Sequence, residues 1–353
     1  MKKSLAVSAL LLAYASQVAA ESSETPCYEE RSGGFTVYGA YLLWEVIQDG
    51  MTYAETLPGG VQGIIDAIMS GGSTVVLNEK IFIDEPQSKW KSGFKAGIGY
   101  EGCSRWDIDL VWTRLHEKIT SSVSDINNGI IPSEIILASL IGIIANPTIT
   151  GFSHEAISNW KFTFDTLDFQ IGQTATLGNC FDLRGAVGVK GAWIKQHQFT
   201  NYLGFTIMDA PITIEVFKKN EFRAVGPSFT LDGSLQLGSY FSLNGGITGA
   251  FLYGKTHADI FPVAIFGTNM IDVDVISTRK NRIKPMVDAF VGIDVHTDFC
   301  DDWRVAVGVG YEVQYWWNQF IVPLSFETSI LGPVTAHGDL VLHGLTAYAA
   351  LTF

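Results

Sequence analysis

The sequence has few charged side chains, and beyond its first twenty residues it has no long apolar run. Charged residues are 17% of the 353-residue chain, which is low for a soluble protein surface. The nearest approach to a membrane helix, Ile135 to Ala145, falls short of the roughly 18 residues that a bilayer requires. The chain is nevertheless 47% hydrophobic, with a mean hydropathy of +0.21. Its apolar residues are therefore dispersed, which excludes a bundle of membrane helices and disfavours an ordinary soluble domain.

Motifs for catalysis, metal binding and nucleic-acid binding are also missing. The patterns G-x-S-x-G, H-E-x-x-H and C-x-x-C do not occur. The formal net charge of −13 argues against nucleic acid as a partner. We therefore expect no enzymatic activity, no cofactor, no metal site and no nucleic-acid partner.

The first twenty residues have the pattern of a secretory signal peptide. Two lysines begin it, an apolar run occupies 5–15, and small residues occupy 18–20. The apolar run is too short for a membrane helix, and a polar stretch follows it at once. We predict cleavage after Ala20, export of the mature chain, and entry of its cysteines into an oxidising compartment.

Residues 303–317, WRVAVGVGYEVQYWW, alternate between two unlike faces. The odd positions are all apolar, with aromatic residues towards both ends, and the even positions are small or polar except for Trp316. A period of two predicts a β-strand. About 12 residues at roughly 3.3 Å each, tilted by about 40°, span roughly 30 Å, close to the thickness of a bilayer core. The aromatic borders favour a membrane strand over a core strand of a soluble protein.

The same alternation recurs in pairs of segments along the chain. Within a pair the connection is very short, as at 177–181 and 299–303. Between pairs the predicted connections are long, at about 119–157, 200–217, 257–280 and 321–335. Short turns on one side and long loops on the other are typical of outer-membrane barrels. The pattern therefore predicts an all-β fold, a transmembrane antiparallel up-and-down β-barrel with short periplasmic turns and long extracellular loops.

About ten principal strands are predicted. Weaker alternation at 72–84, 205–217 and 263–277 either lengthens these strands or adds hairpins, which would raise the number to between about 12 and 16. An even number places both chain ends in the periplasm. The predicted strands are 34–46, 88–101, 104–116, 160–177, 181–196, 222–237, 240–254, 283–299, 302–318 and 338–353.

The last residues, GLTAYAALTF, form an alternating segment that ends on Phe353. Outer-membrane barrels end on such a strand, so we expect the barrel assembly machinery to recognise Phe353. The predicted organisation is a signal peptide at 1–20, a periplasmic N-terminal segment at 21–33, and a barrel at 34–353. The expected location is the bacterial outer membrane, with its lipid as one partner.

Three blocks of the chain resemble a known family: GGFTVYGAYLLWEVIQDGMTYAE (33–55), WKSGFKAGIGYEGCSRWDIDLVWTRLH (90–116) and the closing HGDLVLHGLTAYAALTF. They are similar to the major-outer-membrane-protein-like porins of Legionella and of Chlamydia-related bacteria. The resemblance spans most of the mature chain and is weak in the loops. It implies a pore-forming, cysteine-containing major surface protein, and it brings no catalytic residues.

The polar faces of the predicted strands carry charges of both signs. In a water-filled lumen such charges would set the ion preference of a pore, which makes the chain an expected porin for small hydrophilic solutes and ions. The alternative is a plugged barrel, closed by interior salt bridges, that acts as a structural or adhesive surface protein. Asp294 and His296 share a face, but they lie mid-barrel and do not form a rim site of the kind that barrel enzymes use. The candidate pore-lining residues are Lys95, Asp107, Asp109, Asp182, Arg184, Lys190, Asp288, Asp294, His296, Arg304 and Glu312.

Four cysteines are expected on the periplasmic side: Cys27 in the N-terminal segment, and Cys103, Cys180 and Cys300 in short turns. Neighbouring turns are two strands apart, or roughly 10 Å, whereas a disulfide needs Cα atoms within about 7 Å. Cys103 and Cys180 are therefore not expected to pair unless a turn bends. We expect some of the thiols to link to other envelope proteins or to other copies of the chain.

One loop segment, PSEIILASLIGIIANP at 132–147, has apolar residues at a helix-like spacing. It fits a lid helix, a constriction folded into the pore, or a packed cap on the loop. The cap is the simplest of the three interpretations.

Overall fold

A computed structural model describes most of the chain from residue 33 to its end. The described residues are 33–56, 82–86, 89–102, 104–124, 130–131, 153–178, 180–207, 210–238, 240–266, 269–272, 276–299, 303–324 and 334–353. Among these residues no helix is long and apolar enough to cross a membrane. The predicted signal peptide and the segment 21–32 lie outside the described residues, and so does the apolar loop segment at 132–147.

Ten antiparallel strands form a closed ring. Each strand pairs with its neighbours in the chain, and the first strand also pairs with the last, from Thr36 opposite Thr352 to Gln48 opposite Leu340. The predicted all-β up-and-down barrel is therefore confirmed, with ten strands. They are β1 Gly34–Gln48, β2 Lys91–Glu101, β3 Trp106–Ser124, β4 Glu155–Leu177, β5 Phe181–Ile207, β6 Ala210–Gln236, β7 Phe241–Phe266, β8 Ile276–Phe299, β9 Trp303–Leu324 and β10 Val334–Thr352.

Four short strands lie outside the ring on the loop side. Asn269–Asp272 pairs with the end of β7. The other three, Ala54–Thr56, Phe82–Asp84 and Ile130–Ile131, form a separate small sheet. This sheet joins residues from the loop after β1 to residues from the loop after β3, so the two long loops are tied together.

Several strands extend well beyond the lengths predicted from the sequence. The interval 200–217, expected to be a loop, is mostly strand, because β5 and β6 continue until only 208–209 separate them. The interval 257–280 is likewise occupied by the ends of β7 and β8. Of the weakly alternating segments, 205–217 lengthens β5 and β6, and 263–277 contributes to the ends of β7 and β8 and to the short strand Asn269–Asp272. Phe82–Asp84 lies in the separate small sheet, and the rest of 72–84 lies outside the described residues. The longer strands were not predicted because beyond the membrane both faces of a strand carry polar side chains, which weakens the alternation.

The outward face of the ring is apolar, with aromatic residues at its borders. Along β9 the exposed outward side chains are Trp303, Val307, Val309 and Tyr311. Phe353 stacks against Trp303 with ring centroids 5.3 Å apart, at the border that carries the short turns. A band of exposed apolar side chains between aromatic borders is the lipid-facing surface of a membrane barrel.

A charge placed on this band should destabilise the barrel. Val307 is 55% exposed on the outer face, and in Val307→Arg the guanidinium must enter the hydrocarbon near the middle of the bilayer. We expect a loss of about 2–4 kcal/mol in the free energy of unfolding. Denaturant titration of protein folded into lipid vesicles, followed by tryptophan fluorescence, measures the change.

Val307→Ala is the matched control, because it shortens the same side chain without adding charge. Its effect should be well below that of the arginine variant. If both substitutions had equal effects, Val307 would not face lipid and the assignment of the two faces would be wrong.

Candidate functional site: the barrel interior

All eleven candidate pore-lining residues occupy interior positions of the ring, alternating with the lipid-facing side chains. The structure does not spread them along an open channel. Most of them are joined to a partner of opposite charge or to a polar neighbour, and they form two main networks and several smaller contacts.

The first network surrounds Arg184 on β5. Its Nε donates to Asp107 at 2.9 Å, its Nη2 to Asp109 at 2.5 Å, and its Nη1 to Asp232 at 2.9 Å. The guanidinium of Arg184 thus binds two carboxylates on β3, which lies two strands away on one side, and one carboxylate on β6, the adjacent strand on the other side. Three carboxylates around one cation leave this layer with a net negative charge.

The second network surrounds Glu312 on β9, whose side chain is almost fully buried. Lys95 donates to both carboxylate oxygens, at 2.5 and 2.7 Å. Gln314 donates to the same carboxylate at 3.0 Å and to Asp288 at 3.0 Å. Thr346 adds a further hydrogen bond at 3.3 Å. Lys95 lies on β2, three strands away around the ring, so this network crosses the lumen.

The remaining charged candidates make smaller contacts. Lys190 forms a buried ion pair with Asp168 at 2.9 Å. Asp294 accepts from Tyr348 at 3.1 Å, and Asp182 accepts from Thr176 at 2.6 Å. His296 contacts Ser242 at 3.2 Å, and Arg304 donates to Asp298 at 2.6 Å. The interior charges are therefore largely engaged with one another.

A cavity of about 420 Å³ remains inside the half of the ring nearer the short turns. Both networks border it, and its wall also includes Thr36, Thr230, Phe290 and Tyr348. The cavity is polar and charged, so it is suited to water and small ions.

The other half of the interior is filled by apolar side chains, which we call the aromatic plug. Phe164 on β4 and Trp316 on β9 lie five strands apart in a ring of ten, on opposite walls. Their ring centroids are 5.5 Å apart in an edge-to-face arrangement. Contact across the full diameter leaves no open path between them. The plug consists of Leu42, Trp44, Leu115, Trp160, Phe162, Phe164, Ile194, Phe222, Leu252, Trp316, Leu340 and Leu342, all of which are buried.

This plug was not predicted from the sequence. One signal of it was Trp316, the exception on the otherwise small and polar face of β9. Trp160, Phe162 and Phe164 give the same signal on β4, where they occupy even, interior positions. Large aromatic residues on the polar face of a membrane strand indicate a filled interior.

A segment after β1 closes the interior further on the loop side. We call residues 49–54 the strap, because they cross from β1 to β5 and β6. Gln198 donates to the carbonyl of Met51 at 3.1 Å, and Lys218 donates to the carbonyl of Thr52 at 2.8 Å. Tyr202 donates to the carbonyl of Tyr53. Met51, Tyr53 and Ala54 are buried with the aromatic plug.

The interior glycines do not mark open space. A Cβ on Gly308 would lie 2.4 Å from the ring of Tyr348, and one on Gly310 would lie 2.4 Å from the ring of Phe290. A Cβ on Gly97 would overlap Tyr38. These glycines provide room for aromatic rings that lie flat against the barrel wall, so they are a sign of close packing.

The cysteines are described only in part. Cys180 lies in the turn between β4 and β5, where its carbonyl accepts from the amide of Gln236 at 2.8 Å. Its sulfur is disulfide-bonded. Cys27, Cys103 and Cys300 lie outside the described residues. In the described part of the chain, no cluster of three or more metal-ligating side chains occurs.

A sequence profile of one family, described as "Legionella pneumophila major outer membrane protein precursor", matches residues 17–352. The match covers nearly the whole chain, including every strand of the ring. No curated protein sequence matches the chain.

Several solved structures are similar in fold at low sequence identity. The outer membrane protease OmpT from Escherichia coli has 9% identity and a TM-score of 0.38, over 95% of this chain and 99% of that one. The attachment invasion locus protein Ail of Yersinia pestis has 9% identity and a TM-score of 0.25, over 92% and 100%. The outer membrane protein OprG from Pseudomonas aeruginosa has 11% identity and a TM-score of 0.27, over 91% and 97%. At these scores the likenesses carry no argument about chemistry.

Proposed function

The chain belongs to the Legionella pneumophila major outer membrane protein family and is a β-barrel of the bacterial outer membrane, and from this premise we propose that it is a structural surface protein whose barrel is closed to passive diffusion. This is the plugged-barrel alternative of the sequence analysis. The single observation that carries it is the contact between Phe164 and Trp316 across the full width of the lumen.

An open path through the barrel would require side chains that are now buried to face water. Phe164 and Trp316 are fully buried, and exposing one such side chain to water costs about 1.5–3 kcal/mol. A continuous water column would have to expose most of the aromatic plug as well and would also have to break the strap's hydrogen bonds. The open arrangement is therefore strongly disfavoured at rest. With ten strands, the barrel is only slightly wider than eight-stranded barrels whose interiors are filled by side chains.

The charged cavity favours a second function, the porin that the sequence analysis expected. In that function, small hydrophilic solutes and ions would pass once the strap and the plug had moved aside. The ionised groups around the cavity would then bias the permeant charge, because rings of charge act in this way in pores. Three carboxylates around Arg184 predict a mild preference for cations. The reversal potential in a salt gradient measures this preference, and clear anion selectivity would contradict it.

Other parts of the proposal concern assembly. Phe353 lies at the end of β10 with its ring exposed beside Trp303, which suits recognition by the barrel assembly machinery. Cysteines that are not used inside the chain remain candidates for links to envelope proteins or to other copies. We propose no enzymatic activity: in the described part of the chain, Ser242 and Asp294 both approach the same nitrogen, Nδ1, of His296, whereas a catalytic triad needs its nucleophile and its carboxylate on opposite ring nitrogens.

Liposome swelling tests the closed state with neutral solutes. Vesicles that contain the refolded protein should swell no faster than empty vesicles in isotonic arabinose or glucose. A general porin in parallel vesicles supplies the positive control, and heat-dependent mobility on gels verifies that the barrel has folded. Swelling of the wild-type vesicles at a rate close to that of the general porin would support the porin function instead.

A further inference from the structure

Just beyond the apolar band, on the loop side of β4 to β8, the outward surface is strongly basic. We call this surface the basic patch and define it by Lys161, Lys195, Lys219, Arg223, Lys255 and Arg279. All six have odd residue numbers, as have the lipid-facing side chains on the same strands, so they lie on the outward face. The patch is unusual for a chain whose formal net charge is −13.

The register of the strands joins these cations into one surface. Arg223 lies directly opposite Lys255, and His197 lies between Lys161 on one side and Lys219 on the other. Directly opposite residues on one face have Cβ atoms about 4.5–5.5 Å apart, and like charges there are destabilising. Across five strands the patch is roughly 19 Å wide. Such an arrangement is best stabilised by an anion that bridges several strands.

Carboxylates are interspersed in the patch, but each is already engaged. Glu221 lies 3.1 Å from Lys219 and 3.6 Å from Arg223. Asp165 lies 3.8 Å from Arg114, and Asp259 lies 2.9 Å from His257. Lys195 lies directly opposite Glu221, which is shared with Lys219 and Arg223. In the described part of the chain, neither Lys195 nor Lys255 forms an ion pair within 4.0 Å. A surplus of positive charge therefore remains.

The position of the patch relative to the membrane surface indicates what lies against it. Lys195 follows Trp193 by two residues, and Lys255 follows Tyr253 by two residues; both aromatic side chains are exposed on the outer face. Aromatic residues of this kind lie at the headgroup level of a membrane. The cations are therefore at, or just above, the headgroups of the outer leaflet.

The patch is confined to one side of the barrel. At the corresponding border of β1 and β10, the outward side chains include Glu45, Asp339 and His343, with Glu45 within 3.9 Å of His343. Among the described residues of that wall, no comparable set of cations occurs. A general attraction to anionic lipid would not need such asymmetry, whereas a bound molecule would.

We propose that the basic patch binds the phosphate groups of lipopolysaccharide in the outer leaflet. Lysine and arginine on neighbouring strands match phosphates borne on a rigid sugar framework, and arginine binds phosphate through two parallel hydrogen bonds. The acyl chains of the same molecule would lie along the apolar band below the patch, against Trp193 and Tyr253. The site is independent of whether the barrel conducts.

Titration of refolded protein in neutral detergent with bisphosphorylated lipid A, followed by native mass spectrometry, tests the proposal. Wild-type protein should bind with an affinity that falls as salt rises. The variant Lys195→Gln/Lys255→Gln should bind at least tenfold more weakly. The control Lys89→Gln/Lys91→Gln removes the same charge from the loop side of β2, away from the patch, and should stay within twofold of wild type.

Three further ligands distinguish the sources of phosphate. Dephosphorylated lipid A, phosphatidylglycerol and inorganic phosphate should each bind far more weakly than bisphosphorylated lipid A. Equal binding of any one of them, or equal loss in the two double variants, would overturn the proposal. If the first double variant does not fold, Lys161→Gln/Arg279→Gln removes two charges from the edges of the patch and carries the same expectation.

Discussion

Replacing Phe164 and Trp316 together by serine should turn a silent barrel into a conducting one. The double variant removes both rings of the contact that spans the lumen and adds hydroxyl groups that hold water. Serine is chosen because apolar cavities stay dry and hydrophobic constrictions block conduction by dewetting. We expect stepwise ion currents in planar bilayers that the wild-type protein does not show.

The same change should reduce stability. Truncating a buried phenylalanine or tryptophan costs about 3–5 kcal/mol, and the two losses will not add fully because the rings contact each other. The matched control is Phe169→Ser/Tyr311→Ser, which removes aromatic rings from the lipid-facing positions of the same two strands. That control should stay silent in bilayers. Currents in the control, or silence in a folded Phe164→Ser/Trp316→Ser variant, would contradict the assignment of the plug.

Lys95→Met should be the most damaging single substitution among the interior charges. It leaves Glu312, whose side chain is only 2% exposed, without its cation. Removing one partner of a buried pair costs about 3–5 kcal/mol, because the remaining charge is uncompensated. Urea titration of protein folded in vesicles measures the loss, and Lys91→Met, at the outer end of the same strand, should change stability by less than about 0.5 kcal/mol.

A double-mutant cycle separates the loss of charge balance from the loss of packing. In Lys95→Met/Glu312→Gln the orphaned charge is gone, and the glutamine can still bond to Gln314 and Thr346. The double variant should therefore be more stable than Lys95→Met alone. Lowering the pH should also restore part of the stability of Lys95→Met, because protonation neutralises Glu312. If the double variant lost stability relative to the wild-type protein by the sum of the losses of Lys95→Met and Glu312→Gln, the pair would not be coupled.

The membrane parts of the strands could be predicted from the sequence because lipid imposes a strict alternation. Along β9 every outward residue from Trp303 to Tyr315 must be apolar, and this pattern gave ten strands close to those observed. Beyond the bilayer that constraint disappears. Residues 195–198 on β5, for example, read Lys-Gln-His-Gln on both faces, so the extensions of β5 to β8 left little signal.

The state of the interior could be predicted only in part. Alternation assigns Arg184 and Glu312 to the inner face of their strands, but it says nothing about which strands face each other across the lumen. The contact of Phe164 with Trp316, and the reach of Lys95 to Glu312, depend on ring closure and stagger, which no local pattern encodes. The packing at the interior glycines could not be predicted for the same reason, because the rings that cover them come from other strands.

The most direct test of the closed barrel is the conductance of the wild-type protein in planar lipid bilayers. The refolded chain, verified as folded by its heat-dependent mobility, is added to bilayers in concentrated potassium chloride and held at voltages of either sign. If the aromatic plug and the strap seal the barrel, the wild-type protein should give a flat current baseline. The Phe164→Ser/Trp316→Ser variant should give stepwise currents under the same conditions. Frequent, uniform steps from the wild-type protein would show an open pore and would contradict the proposed closed state.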